Sequence, residues 1–178
     1  MSRTNPYKKK RRSANKTILI YSEGLHEEIF LKCLRGLYSK NKDVAITIRR
    51  GKGGTADALV IQANKTLGAF DRRIVVLDND KNKSEMQKAR QEAENRKLEL
   101  FEHTPCLEAV LLSILCKGQD FKNKTSSWCK QEFESKYIGR KKRGEVDEYV
   151  RLFPVSLLDK LSSKITELKK LITLMSGK

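Results

Sequence analysis

Between residues 17 and 103 the chain alternates short strand-like runs with stretches of helical periodicity, and few folds accommodate that order. Four runs read as strands: TILIYS (17–22), VAITIRR (44–50), RRIVVLDND (72–80) and KLELFEH (97–103). The third is apolar almost throughout until Asp78; in the fourth, Leu98 and Leu100 alternate, with Glu102 outward. Between them, LHEEIFLKCLRGLY sets Ile29, Cys33, Leu34 and Leu37 on one helical face. ADALVIQANKTLGAF reads as a second helix behind the loop GKGGT, and KSEMQKARQEAENR as a polar surface helix. Strand and helix repeating in this way predict an α/β domain with a mainly parallel four-stranded sheet flanked by helices.

Beyond residue 104 the strand signal fades. Thr104 can cap a helix with Pro105 at its first position, and CLEAVLLSILC is apolar almost all round, so this helix should be buried, with Gly118 ending it. Residues 119 to 150 mix aromatics with basic runs. Ser156 and Asp159 offer an N-terminal cap for one last helix, whose seam is Leu158, Leu161, Ile165, Leu168, Ile172 and Met175. The seam suits packing on its own domain; a homo-oligomer through this helix also fits. The organisation expected is a basic, disordered tail at 1–16, an α/β domain at 17–118, and a mostly helical C-terminal extension at 119–178 packed on it.

Charge narrows the partners. Of 178 residues, 38 are Lys or Arg and 22 Asp or Glu, a formal net charge of +16, which favours a polyanion such as nucleic acid. Seven of those charges lie at residues 3–16: Arg3, Lys8, Lys9, Lys10, Arg11, Arg12 and Lys16; without them +9 remains. The tail lacks apolar periodicity and reads as phosphate-seeking, and it lacks the apolar segment of a signal peptide. No apolar run is long enough to span a membrane, so a cytoplasmic location is expected. The four cysteines form no CxxC pair and neither histidine sits near a cysteine pair, which argues against zinc and for reduced core thiols.

In a parallel sheet, ligands gather beyond the carboxyl ends of the strands. Glu23 ends the first strand, and Asp78 and Asp80 end the third, so the acids converge if those strands are neighbours. Crowding carboxylates costs about 1–4 kcal/mol per close pair at watery to intermediate dielectric. A divalent cation removes that cost, and oxygen ligands select Mg²⁺ or Mn²⁺.

The set ILIYSEGLHEE, with glutamate-glycine at a first strand tip, and VVLDND, with aspartate-x-aspartate at a third, resembles the Toprim domain. Within that group the chain looks most like the RloB-like family of bacterial restriction and phage-defence loci, through GKGGTADALV and HTPCLEAVLLSIL, over roughly residues 17 to 145. It departs from the family pattern at Ala109 and Val110, where an aromatic is expected. The resemblance implies a Mg²⁺-dependent nuclease cleaving DNA or RNA phosphodiesters in anti-phage defence by abortive infection. Glu23 would be the general acid or base, Asp78 and Asp80 would hold the metal with it, and Glu27 and Glu108 would be further catalytic carboxylates. Gly24 would let the backbone turn sharply and leave Glu23 facing a phosphate. The alternative is a non-catalytic nucleic-acid-binding or regulatory effector module working with a partner ATPase of the same locus.

The remaining cations are candidate phosphate contacts. GKGGT lacks Walker A spacing, which excludes ATP binding by this loop, but Arg49, Arg50 and Lys52 beside it can grip a nucleic-acid phosphate as readily as the loop can be an ordinary turn. Arg140, Lys141, Lys142 and Arg143 form a second basic run, with Tyr137 and Trp128 nearby, read mainly as core aromatics.

Overall fold

The structure, a computed structural model, describes residues 14–40, 43–139 and 141–177. Its order is β1 (Lys16–Ser22), α1 (Leu25–Tyr38), β2 (Val44–Arg50), α2 (Ala56–Lys65), β3 (Arg72–Asp78), α3 (Lys83–Asn95), β4 (Glu99–His103), α4 (Leu107–Leu115), α5 (Ser126–Lys136), α6 (Val146–Leu152), α7 (Val155–Ser162) and α8 (Thr166–Met175). The four strands form one all-parallel sheet in the order β2-β1-β3-β4, a Toprim-like α/β arrangement. β1 and β3 are direct neighbours, with Ser22 opposite Val76, so their tips end side by side. The chain winds one way from β1 to β2 and the other way through β3, which opens a crevice at the carboxyl ends where the direction reverses.

The period-two alternation of strands explains why β3 is apolar on both faces. Ile74 and Val76 join a core with α1, α4 and the C-terminal helices, while Val75 and Leu77 join a smaller core with α2 and α3. The four helices beyond residue 118, α5 to α8, share the larger core, which runs on across that residue. Its centre is aromatic: Phe30 packs edge-on to Phe153 at 5.3 Å, and Phe133 lies 6.3 Å from Tyr149 and 6.5 Å from Phe153. Phe133 anchors α5, so Phe133→Ala is expected to cost about 3–5 kcal/mol, lowering the melting temperature by about 10 °C or more in a calorimetric scan.

Several boundaries differ from the sequence reading. α2 stops at Lys65, short of TLGAF. α4 begins at Leu107 with Cys106 at its N-cap position; the Thr104–Pro105 peptide is cis and precedes the helix. Gly118, at φ +98°, closes α4 by donating its N–H to Ser113 O at 2.7 Å. The single last helix is two. The Ser162 and Ser163 hydroxyls turn back onto Asp159 O and Lys160 O, α7 ends there, and α8 restarts at Thr166. Ser156 and Asp159 are therefore inside α7, which starts after Pro154, and cap nothing. Leu158, Leu161, Ile165 and Leu168 are buried in the chain's own core, which takes the seam away from a second copy. Lys16, placed at the end of the tail, is the first residue of β1; Lys8, Lys9, Lys10, Arg11 and Arg12 lie outside the described residues. Among the described residues no helix is long and apolar enough to cross a membrane.

Candidate active site

The tips of β1 and β3 bring the acids together. Glu23 Oε2 accepts the Asp78 N–H at 3.3 Å, and Glu23 Oε1 and Asp80 Oδ1 both accept from Lys81 Nζ, at 2.8 and 3.0 Å. Asp78 Oδ1 accepts the Leu107 N–H at 2.9 Å, so this side chain caps α4 where Cys106 makes no side-chain cap. Its other oxygen faces Lys130 Nζ at 3.0 Å, and Asp80 Oδ2 faces the same ammonium at 3.5 Å. Burial raises the Asp80 carboxyl, but Lys81 and Lys130 outweigh it and hold it below the usual range.

Two further carboxylates complete the group. Glu27, in the first turn of α1, is buried, and burial together with Asp78 and Glu108 pushes its carboxyl up to about 8. Glu108, in the first turn of α4, is also buried; burial and Asp78 push it up to about 7 against the pull of Lys130. One of its oxygens, Oε2, has no hydrogen-bond partner. Single ligand atoms of Asp78, Glu108 and Cys106 all lie within 4.8 Å of one another. The cysteine is a ligand type the sequence reading set aside; burial raises its thiol, which leaves the carboxylates as the anionic donors. Glu23, Glu27, Asp78 and Glu108 line a cavity of about 360 Å³ with Lys130, and Arg50 and Arg143 also border it.

Gly24 serves this cluster through space. Its backbone is extended (φ −119°, ψ 180°), a conformation open to any residue, so the sharp-turn role expected of it does not hold. A Cβ there would stand 2.5 Å from Glu27 Oε2. Gly24→Ala should therefore cost about 1–2 kcal/mol in urea unfolding, and much less in a Glu27→Ala background. Equal cost in both backgrounds would show that the two residues are uncoupled.

α5 lies along the crevice and supplies residues that sequence reasoning missed. Lys130 and Glu134, one turn apart, face Asp78 and His26. His26 Nδ1 lies 2.8 Å from Tyr149 Oη and its Nε2 lies 3.3 Å from Glu134 Oε1; burial lowers the imidazole's pKa. α5 mixes polar and apolar residues around its circumference, so nothing in its pattern singles out Lys130.

The basic candidates divide. Arg50 and Arg143 border the cavity, pairing with Glu28 at 3.6 Å and Glu134 at 3.7 Å. Arg49, Lys52 and Lys141 are exposed, Lys142 pairs with Glu148, and Arg140 lies outside the described residues. Trp128 stacks on Phe121 and is partly exposed, while Tyr137 is half-buried and packs against the core. The glycine loop is tied to its own chain: Gln62 accepts the Lys52 N–H and donates to Gly53 O, and Glu85 accepts the Ala56 N–H at the start of α2. That favours the ordinary turn over a phosphate grip by the loop backbone. Comparison with protein-family models, with curated proteins and with solved structures finds no match to this chain.

Proposed function

We propose that the chain is a Mg²⁺- or Mn²⁺-dependent nuclease of Toprim type that cleaves DNA or RNA phosphodiesters. The observation that carries this reading is the placing of Glu23, Asp78 and Asp80 on the neighbouring tips of β1 and β3 at the reversal point of a parallel sheet, with a Glu108 oxygen within 4.8 Å of one of Asp78 and with Arg50 and Arg143 bordering the cavity that Glu23, Asp78 and Glu108 line. The donor set fits a hard divalent cation. It is mainly carboxylate, one buried Glu108 oxygen is unpartnered, and burial, with Asp78 beside them, raises the Glu27 and Glu108 carboxyls to about 8 and about 7. Asp78, Asp80 and Glu23 would hold the ion, with Glu108 beside them. When bound, it would stabilise charge developing on a phosphate and lower the pKa of a coordinated water. Glu23, hydrogen-bonded to Lys81, would move the proton, and Lys130 would leave Asp78 and Asp80 to the ion and face the phosphate. The RloB-like resemblance extends this to anti-phage defence in the bacterial cytoplasm, alongside a partner ATPase.

Glu23→Gln should lower cleavage of labelled RNA and DNA by about 10²–10⁴-fold, the range of general acid–base catalysis, and should weaken Mn²⁺ binding, since a neutral amide oxygen replaces a carboxylate ligand. Full activity in that variant would remove Glu23 from the chemistry. A second reading has its own observation. Lys130 and Lys81 already bridge the acids, as the ammonium groups of a metal-free binding module would. Absence of Mn²⁺ binding by the wild-type chain would favour it.

A further inference from the structure

A second concavity, about 670 Å³, lies between α1 and the edge strand β2. Its walls carry Lys32, Arg35, Arg49, Arg50 and Lys52 against a single carboxylate, Glu28. Lys32 and Arg50 both approach Glu28, at 2.7 and 3.6 Å, and Arg35 reaches the β2 edge at Ile46 O, 3.1 Å. Glu28, Lys32 and Arg35 fall at i, i+4 and i+7, one stripe of α1 that faces the strand. β2 runs parallel to β1, so its Arg50 end is at the carboxyl edge of the sheet, where the acids are. Arg50 lines both this groove and the carboxylate cavity.

We infer that this groove is the track along which a nucleic-acid single strand is led past Arg50 into the carboxylate cavity. The inference rests on the nuclease reading and names the form of its substrate. Five cations beside one acid attract a polyanion, and guanidinium and ammonium groups bind phosphate without reading bases. A groove walled by one helix and one strand admits one chain, and the residues of β2 that line it, 46–50, span about 16 Å at about 3.3 Å per residue, room for two or three phosphates. Lys32 and Arg35 thereby join Arg49, Arg50 and Lys52 as phosphate contacts.

The test is anisotropy of the full chain with short fluorescein-labelled RNA and DNA single strands and the matching DNA duplex. Measured in EDTA across a salt series, it reads binding without cleavage. Lys32→Ala/Arg49→Ala/Lys52→Ala should weaken single-strand binding about 10-fold or more and reduce the slope of log K against log salt by about 2, from about 0.7 per contact. The same loss of charge on α2 and α3, Lys65→Ala/Lys83→Ala/Lys88→Ala, should change the slope less than half as much. Equal effects of the two triples, or a duplex bound as tightly as the single strand, would overturn the track. Groove-dependent binding without cleavage in Mg²⁺ would sink the nuclease reading and leave the track standing. Cleavage retained by the groove triple at unchanged affinity would overturn the track alone.

Discussion

Asp78→Asn should abolish tight Mn²⁺ binding and lower nucleic-acid cleavage by about 10³-fold, equivalent to about 4 kcal/mol in the barrier. The fold should survive, because Asn Oδ1 can still accept the Leu107 N–H that Asp78 now accepts. Losing the charge also relieves Glu27 and Glu108 of a like neighbour, so both should titrate lower in the variant. Asp78→Ala removes the cap as well and should cost about 1 kcal/mol of stability in addition. Nucleic-acid affinity in EDTA should be unchanged in both, since it comes from the cations of the groove and the basic run. An Asp78→Asn protein that cleaves at the wild-type rate would exclude a metal site built on this residue.

The second large effect is on stability against pH. Glu27 and Glu108 have folded-state values of about 8 and 7 against an ordinary 4.5, raised first by burial and then by Asp78. The folded chain thus holds protons that the unfolded chain gives up. The stabilisation is complete below about pH 4.5 and is lost as pH rises through 7 to 8. At about 1.36 kcal/mol per unit, shifts of this size should destabilise the metal-free protein by several kcal/mol between pH 4.5 and 8, about 10 °C or more in melting temperature. Glu27→Gln, with no charge to bury, should flatten the slope and raise the melting temperature at pH 8.5. Mg²⁺ should flatten it in the wild type by supplying the missing positive charge. A wild-type curve flat in EDTA from pH 5 to 8.5 would show that these carboxyls are not strained in the fold.

The sheet was legible because three of its strands are β-branched apolar runs and the fourth alternates Leu98 and Leu100 with polar residues, and parallel pairing follows from helices between them. The convergence of Glu23 with Asp78 and Asp80 was legible for the same reason: strand tips in a parallel sheet share one edge. Lys130, which bridges Asp78 and Asp80, was not. Lys130 reaches Asp78 only because Phe133, three residues on, seats α5 in the aromatic core, and that packing has no local signature. Gly24 carried a signal with a different cause, since its missing side chain leaves room for Glu27 rather than freeing the backbone. The break between α7 and α8 was hidden by a seam that continues through it, because the apolar spacing persists while Ser162 and Ser163 turn the chain.

The most direct test of the central claim is anomalous scattering from crystals of the wild-type chain soaked in Mn²⁺. The expected result is a peak bonded to carboxylate oxygens of Asp78 and Glu23, at about 2.1–2.2 Å, with Lys130 Nζ displaced from Asp78. A map with no peak at the β1 and β3 tips, and Lys130 still bridging Asp78 and Asp80, would contradict a metal-dependent site and favour the ammonium-neutralised binding module.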